Sequence, residues 1–95
     1  MNERANTFIT LHVYYNRQEA LNALNDLMAF FPKAEHRLNP LEVVLGGHVC
    51  RFVTVGDVEE MKFRGLQIVA FILHDRAKQI LDSYYVAYLK TLVRE

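Results

Sequence analysis

The residues of this chain with the most versatile chemistry are four histidines, one cysteine and the carboxylates near them. His48 and Cys50 alternate onto one face of a predicted strand, and His74 adjoins Asp75. Such side chains bind transition metals when three or four of them converge at fixed spacing. The sequence contains neither a C-x-x-C, an H-E-x-x-H nor an H-x-H pattern. We therefore predict no metal site, and we interpret these residues as half-buried polar side chains on a sheet.

Nucleophilic catalysis has equally little support in the sequence. Cys50 lies in the middle of a predicted strand, which favours a small core residue over a thiolate activated at a helix N-terminus. The one serine, Ser83, lies inside the last predicted helix, and no G-x-S-x-G elbow is present. We predict no catalytic residues and no cofactor. A small-molecule catalyst built around His48, Cys50 and His74 is the alternative.

Composition sets the class of protein. The chain has 95 residues, with 11 basic and 11 acidic side chains and one cysteine. This length supports one hydrophobic core, so we predict a single domain over residues 1–95. A lone cysteine is typical of a reducing cytosol. No apolar run approaches the ~18 residues of a membrane span, and Met1–Arg4 leads into no apolar signal segment. We therefore expect a cytoplasmic protein without a membrane partner.

The basic residues that could contact nucleic-acid phosphates are Arg51, Lys62 and Arg64. The formal net charge is zero, and Glu59 and Glu60 dilute the positive charge nearby. This pattern favours a solvated surface of mixed charge. A short phosphate-contacting edge formed by the three basic residues is the alternative, and it predicts nucleic-acid binding that weakens steeply with salt.

Hydrophobic periodicity predicts a strand over Thr7–Tyr15 and a helix directly after it. Alternate residues of the strand form an apolar face that points to a core. Asn16 is the predicted N-cap of the helix, with Glu19 at the third helical position, and Pro32 ends the helix. The predicted apolar stripe of the helix consists of Ala20, Leu21, Leu24, Leu27, Met28 and Phe31.

The pair Gly46-Gly47 joins two β-rich runs, Leu41–Leu45 and His48–Val55. A two-residue Gly-Gly loop predicts a hairpin, because primed turns require positive φ. In this register Glu42 lies opposite Arg51, an opposite-charge pair worth roughly 0.2–1 kcal/mol in a sheet. The other predicted pairs are Leu45 with His48, Val44 with Val49 and Val43 with Cys50.

Six apolar residues follow Gln67 and end at Leu73. This run predicts a strand covered on both faces, which is typical of parallel pairing, and a helix over Asp75–Val93 with Asp75 as its N-cap. The element order β-α-β-β-β-α predicts an α/β fold: a small mixed sheet with the Gly-Gly hairpin, parallel and central first and last strands, and two packed helices. A ferredoxin-like α+β sandwich, with both helices on one face of an antiparallel sheet, is the alternative.

The last predicted helix carries a wider apolar arc than one packed layer needs. Tyr84, Tyr85, Tyr88 and Leu89 lie on this arc, and aromatic side chains are enriched at binding hot spots. We therefore predict that these four residues bind a protein partner or a second copy of the chain. In so small a domain the same rings also fit a purely structural role in the core.

Three stretches of the sequence carry a family resemblance. They are I-T-L-H-V-Y-Y-N-R-Q-E-A (Ile9–Ala20), L-E-V-V-L-G-G-H-V-C-R-F-V-T-V (Leu41–Val55) and K-F-R-G-L-Q-I-V-A-F-I-L-H-D (Lys62–Asp75). In order and spacing they resemble a strand and helix, a hairpin and the Walker B strand of phage terminase large subunits and related helicase-like P-loop motors. The resemblance spans residues 8–76 and implies a motor-like scaffold and a phage origin.

The chain departs from that family at the residues that do its chemistry. A G-x-x-x-x-G-K-[ST] loop is missing, and with it the amide nest, the phosphate lysine and the Mg²⁺-holding hydroxyl. His74-Asp75 stands where the family's strand ends in two acids. We therefore expect a small non-enzymatic interaction or regulatory protein. A nucleic-acid-binding accessory factor and an incomplete nucleotide hydrolase that needs a partner chain are the alternatives.

Overall fold

A computed structural model describes residues 8–94 and arranges them as a mixed α/β fold. The described range contains five strands and four helices, and none of these helices is long and apolar enough to cross a bilayer. The predicted start of the first strand at Thr7 lies outside the described residues. The elements are β1 (Phe8–Tyr14), α1 (Arg17–Phe30), β2 (Glu35–Leu38), β3 (Leu41–Leu45), β4 (His48–Thr54), α2 (Val55–Glu59), β5 (Ala70–Leu73), α3 (Asp75–Ile80) and α4 (Ser83–Leu92).

The five strands form one sheet in the order β2-β3-β4-β1-β5. β1 pairs in parallel with β4 on one side and with β5 on the other. In the second pairing Thr10 lies beside Ala70 and Val13 beside Leu73. The predicted parallel pairing of the first and last strands is therefore confirmed, and the ferredoxin-like alternative is excluded.

β5 lies at the edge of the sheet, so the prediction that it is central is wrong. Its apolar run suggested cover on both faces, but Ala70 and Ile72 are exposed. Helices cover only the face that carries Phe71 and Leu73, which pack against the core formed by α2, α3 and α4. An apolar run therefore did not distinguish an edge strand covered on one face from a central one.

The Gly-Gly hairpin has the predicted register. Glu42 pairs with Arg51, and the other three pairs are also as predicted. β3 has a second antiparallel neighbour, β2, which the sequence did not predict. All four residues of β2 are exposed, so this strand lacks the alternating apolar pattern that marks a half-buried strand.

The ends of α1 follow from its capping residues. The Asn16 side chain accepts a hydrogen bond of 2.9 Å from the Glu19 N–H, as predicted. The helix ends at Phe30, and the N–H of the C-cap residue Phe31 bonds to Leu27 O. The following Pro32 has no N–H with which to extend the helix.

The C-terminal half contains two more capping devices. Thr54 and Asp57 form a reciprocal capping box that starts α2, a helix that the sequence did not predict. The single helix predicted over Asp75–Val93 is two helices, because Leu81 ends α3 and Asp82 caps α4 by accepting from Tyr84 N–H at 2.8 Å. Asp75 is not the N-cap of α3. His74 occupies that position without a side-chain bond, and Asp75 follows it with φ of 31°.

Two apolar cores lie on opposite faces of the sheet. The larger packs α2, α3 and α4 on one face, and the smaller packs α1 on the other. The smaller core draws its buried residues from α1, β3 and β4, which leaves part of that face over β1 and β5 without helical cover. Buried residues of the larger core include Leu11, Val13, Val53, Val58, Ile68 and Leu89, and those of the smaller core are Ala20, Leu24, Leu41, Val43 and Phe52.

Candidate functional site

The sheet face beside α1 carries an uncovered strip over β1 and β5. Phe8 at the start of β1 is 49% exposed, and Ile72 on β5 is 44% exposed. Alternation of side chains along parallel strands places both on the face that also carries His12. This strip therefore leaves two large apolar side chains open to solvent.

An aromatic stack containing two imidazoles lies on this strip. His12 Nδ1 is 3.0 Å from His74 Nε2, a hydrogen-bond distance, and the Tyr14 ring stacks on His74 with centroids 4.3 Å apart and nearly parallel planes. The Phe52 ring stacks on His12, with ring centroids 5.4 Å apart. The sequence predicted neither contact, because the two histidines are brought together only by the pairing of β1 with β5.

Burial decides the protonation of this group. Desolvation, with smaller contributions from His74 and His48, lowers the pKa of His12 to about 4. Desolvation also lowers the pKa of His74, and it raises the pKa of Tyr14 to about 12. At neutral pH His12 is an uncharged, weak base and Tyr14 a protonated phenol, so the group is suited to joining β1 and β5 rather than to moving protons.

Acidification is expected to destabilise the protein through His12. Its pKa falls from the ordinary 6.5 to about 4 in the fold, so the unfolded chain binds the proton more readily between these values. The contribution of neutral His12 to the free energy of unfolding is complete above pH 6.5 and is lost as the pH falls toward 4. Because the ring is partly exposed, we expect this loss to be about 1–2 kcal/mol. Urea unfolding of wild type and His12→Phe across this range measures the effect. Equal pH slopes for both proteins would contradict it.

His48 and Cys50 are the other side chains that the sequence offered for catalysis. The Thr10 hydroxyl and His48 Nε2 are 2.9 Å apart, and burial raises the pKa of the Cys50 thiol. A raised thiol pKa disfavours the nucleophilic thiolate. Among residues 8–94, no three histidine, cysteine or carboxylate side chains are grouped so that they could hold a metal ion.

The four residues of the last helix that are predicted to bind a partner differ in how deeply they are buried. Leu89 has no exposed surface and belongs to the larger core. The Tyr88 hydroxyl accepts a hydrogen bond of 3.2 Å from Phe63 N–H. Tyr85 is half-buried against the same core, and its ring meets Tyr84 edge-on at 5.1 Å. Of the four, Tyr84 alone is widely exposed, at 63%.

The residues of the alternative nucleic-acid surface largely contact acids. Arg51 lies 2.6 Å from the buried carboxylate of Glu42, and Lys62 lies 3.3 Å from Asp57. The third, Arg64, is exposed. A phosphate would have to displace a carboxylate from each of the first two side chains.

The carboxyl ends of the parallel strands, where open α/β sheets commonly bind ligands, carry side chains that bond to one another. Arg76, just after β5, stacks over the Tyr15 ring at 3.9 Å and pairs with Glu19 of α1 at 3.1 Å. The nearby Asn16 and Thr54 cap helices. These contacts give the polar residues at this edge a structural role.

Another exposed apolar surface lies at the C-terminal end of α1, and we call it the α1-end surface. Phe30 is 80% exposed and Phe31 is 48% exposed. Both line a shallow surface cavity of about 530 Å³ that is largely open to solvent. The chain turns back tightly here, since Ala34 N–H bonds to Phe31 O. The other lining residues are Pro32, Lys33, Ala34, Glu35, Val44, Leu45 and Gly46.

The sequence predicted one of these aromatics in the wrong environment and did not single out the other. The predicted apolar stripe of α1 includes Phe31, but Phe31 is the C-cap, where the backbone leaves the helix. Phe30 lies four residues after Asp26, on the polar side of the helix. An aromatic residue in line with acidic and amide side chains is the sequence feature that indicates this surface.

Comparison with known proteins found no matching family model, curated protein or solved structure.

Proposed function

We propose that this chain is a non-enzymatic interaction domain that binds a protein partner through the α1-end surface. The observation that carries the proposal is the 80% exposure of Phe30 beside a second exposed phenylalanine, Phe31. Aromatic side chains dominate the energetics of protein interfaces, and an exposed pair of them on a small domain is typical of a binding site.

The cavity beside the two rings adds shape to this surface. Its apolar walls come from two elements, the turn after α1 and the end of β3, where Leu45 contributes. The cavity is shallow and open, so a partner side chain can reach its lining residues directly. The α1-end surface therefore offers a partner both protruding rings and a recess.

The proposal predicts that a negative charge at Phe30 abolishes partner binding. Tagged wild type, Phe30→Glu and Tyr84→Glu would be used as baits in lysate of the source cells, with quantitative mass spectrometry of the captured proteins. We expect a partner whose capture falls at least about tenfold with Phe30→Glu, because the charge would have to be desolvated in the interface. The Tyr84→Glu bait is the matched control, since it places the same charge on another exposed aromatic.

Two outcomes would contradict the proposal. Equal capture by wild type and Phe30→Glu would remove the α1-end surface from the interface. Loss with Tyr84→Glu and retention with Phe30→Glu would place the interface on α4. Thermal melting of the three baits checks that each is folded. Both substituted side chains are exposed, so each substitution is expected to change the free energy of unfolding by less than about 0.5 kcal/mol.

A further inference from the structure

We infer that the occupant of the α1-end surface is a second copy of this chain, bound by reciprocal insertion of Phe30 into the partner's cavity across a two-fold axis. This inference rests on the proposed function, because it uses the same surface. It adds the identity of the partner and the geometry of the contact.

The first argument is that one patch of this chain contains both halves of a contact. The Phe30 ring projects into solvent, and the same residue stands at the wall of the cavity of about 530 Å³. A two-fold interface requires such a patch, because residue i contacts residue j and residue j contacts residue i. The cavity is shallow and largely open to solvent, so an inserted ring rests against its lining residues from outside. Each copy can therefore supply a ring and receive one.

The second argument is the charge around the cavity. Lys33 and Glu35 both line it, and the other lining residues are uncharged. In the inferred dimer, Lys33 of one copy faces Glu35 of the other across the two-fold axis, so each copy supplies both charges of the contact. A partner surface of a single sign would instead meet one like charge, which is unfavourable.

The intramolecular contacts leave these charges available for such a pairing. Glu35 lies 3.5 Å from Arg37 of the same strand, and both side chains are about two-thirds exposed, at 65% and 60%. Exposed pairs of this kind contribute between zero and about 1 kcal/mol. Exchanging this contact for one across a dimer interface therefore costs little.

The first test is a charge exchange followed by sedimentation equilibrium over a range of concentrations. Wild type is expected to pass from monomer to a species of twice the monomer mass as concentration rises. Lys33→Glu should raise the dissociation constant of the dimer at least about tenfold, because it places two carboxylates at each contact. The double variant Lys33→Glu/Glu35→Lys should return it to within about threefold of wild type. Failure of the double variant to recover would overturn the geometry.

The second test separates the ring from the cavity. Phe30→Ala removes the ring and keeps the cavity, whereas Ala34→Trp fills the cavity and keeps the ring. Each variant alone is expected to be monomeric where wild type is dimeric, and an equimolar mixture is expected to form a heterodimer held by one intact insertion. If Ala34→Trp does not fold, Val44→Trp fills the same cavity from β3.

The outcomes of these tests are distinct from those of the capture experiment. A wild-type monomer at every concentration, a Phe30→Ala dimer as stable as wild type, or a mixture that stays monomeric each overturns the reciprocal insertion. Binding of a different protein in the capture experiment, lost with Phe30→Glu, would then support the proposed function while the self-association is rejected.

Discussion

Replacing Arg51 by alanine is expected to lower the free energy of unfolding by about 3 kcal/mol. Arg51 Nε and Nη2 both lie 2.6 Å from Glu42 Oε2, and the Glu42 residue is only 4% exposed. Removal of the arginine leaves a carboxylate inside the sheet with one remaining cation among residues 8–94, Arg37, at 3.7 Å. An uncompensated buried charge is one of the largest penalties that a single substitution can create.

Urea unfolding at neutral pH measures this loss. Arg37→Ala is the matched control: its side chain is 60% exposed, so it should cost less than about 1 kcal/mol. The double variant Glu42→Leu/Arg51→Leu should be closer to wild type than Arg51→Ala, because it removes both charges and keeps apolar volume. A loss below about 1 kcal/mol for Arg51→Ala would show that solvent reaches Glu42 and that the ion pair contributes little.

Truncation of Leu89 to alanine is expected to cost about 3 kcal/mol, within the range measured for leucines in protein cores. Leu89 is fully buried and is one of the largest side chains of the core between the sheet and α4. Its loss removes apolar contacts and leaves a cavity that the surrounding strands cannot fully close.

The control for this variant lies on the same helix. Tyr84→Ala removes a larger side chain that is 63% exposed, so it should change stability by less than about 0.5 kcal/mol. Thermal or urea unfolding of the two variants distinguishes a core residue from a surface residue. If Leu89→Ala were as stable as wild type and instead weakened self-association, the result would support the prediction that α4 forms the interface.

The parts of the fold that the sequence predicted correctly are those in which neighbouring residues determine the local structure. Gly46, with φ of 65°, supplies the positive φ that the predicted hairpin turn requires, and the opposite charges of Glu42 and Arg51 agree with the register that it fixes. Asn16 similarly fixes the start of α1 through its own side chain. In each case the residues that determine the structure are close together in sequence.

The errors in the predicted fold arise where tertiary contacts decide. The apolar run ending at Leu73 has the same composition whether one face or both faces are covered, and only the absence of a helix over Ile72 distinguishes the cases. Asp82 interrupts an otherwise continuous apolar pattern, and its capping bond to Tyr84 N–H shows that it begins a new helix. Periodicity alone does not show which role such an aspartate takes.

The candidate surface was the part least accessible to sequence reasoning. Aromatic residues on a helix read equally well as core and as interface, and the wide apolar arc of α4 turned out to pack in the core at Leu89. Phe30 differs because it lies on the polar side of α1, a position from which it cannot reach the core. The resemblance to P-loop motors stays a prediction, because the parallel pairing of β1 with β5 is shared by many α/β folds.

The interior position of β1, with a parallel strand on each side, has a consequence for biosynthesis. Both of its neighbours come much later in the chain, since Phe8 pairs with His48 and Thr10 pairs with Ala70. Translation proceeds at about 5–20 residues per second, so the nascent strand waits for seconds before either hydrogen-bonding edge can be satisfied. During that interval both hydrogen-bonding edges of the apolar strand β1 are unpaired. We therefore expect this protein to depend on ribosome-associated chaperones more than a protein of equal size whose first two strands form a hairpin.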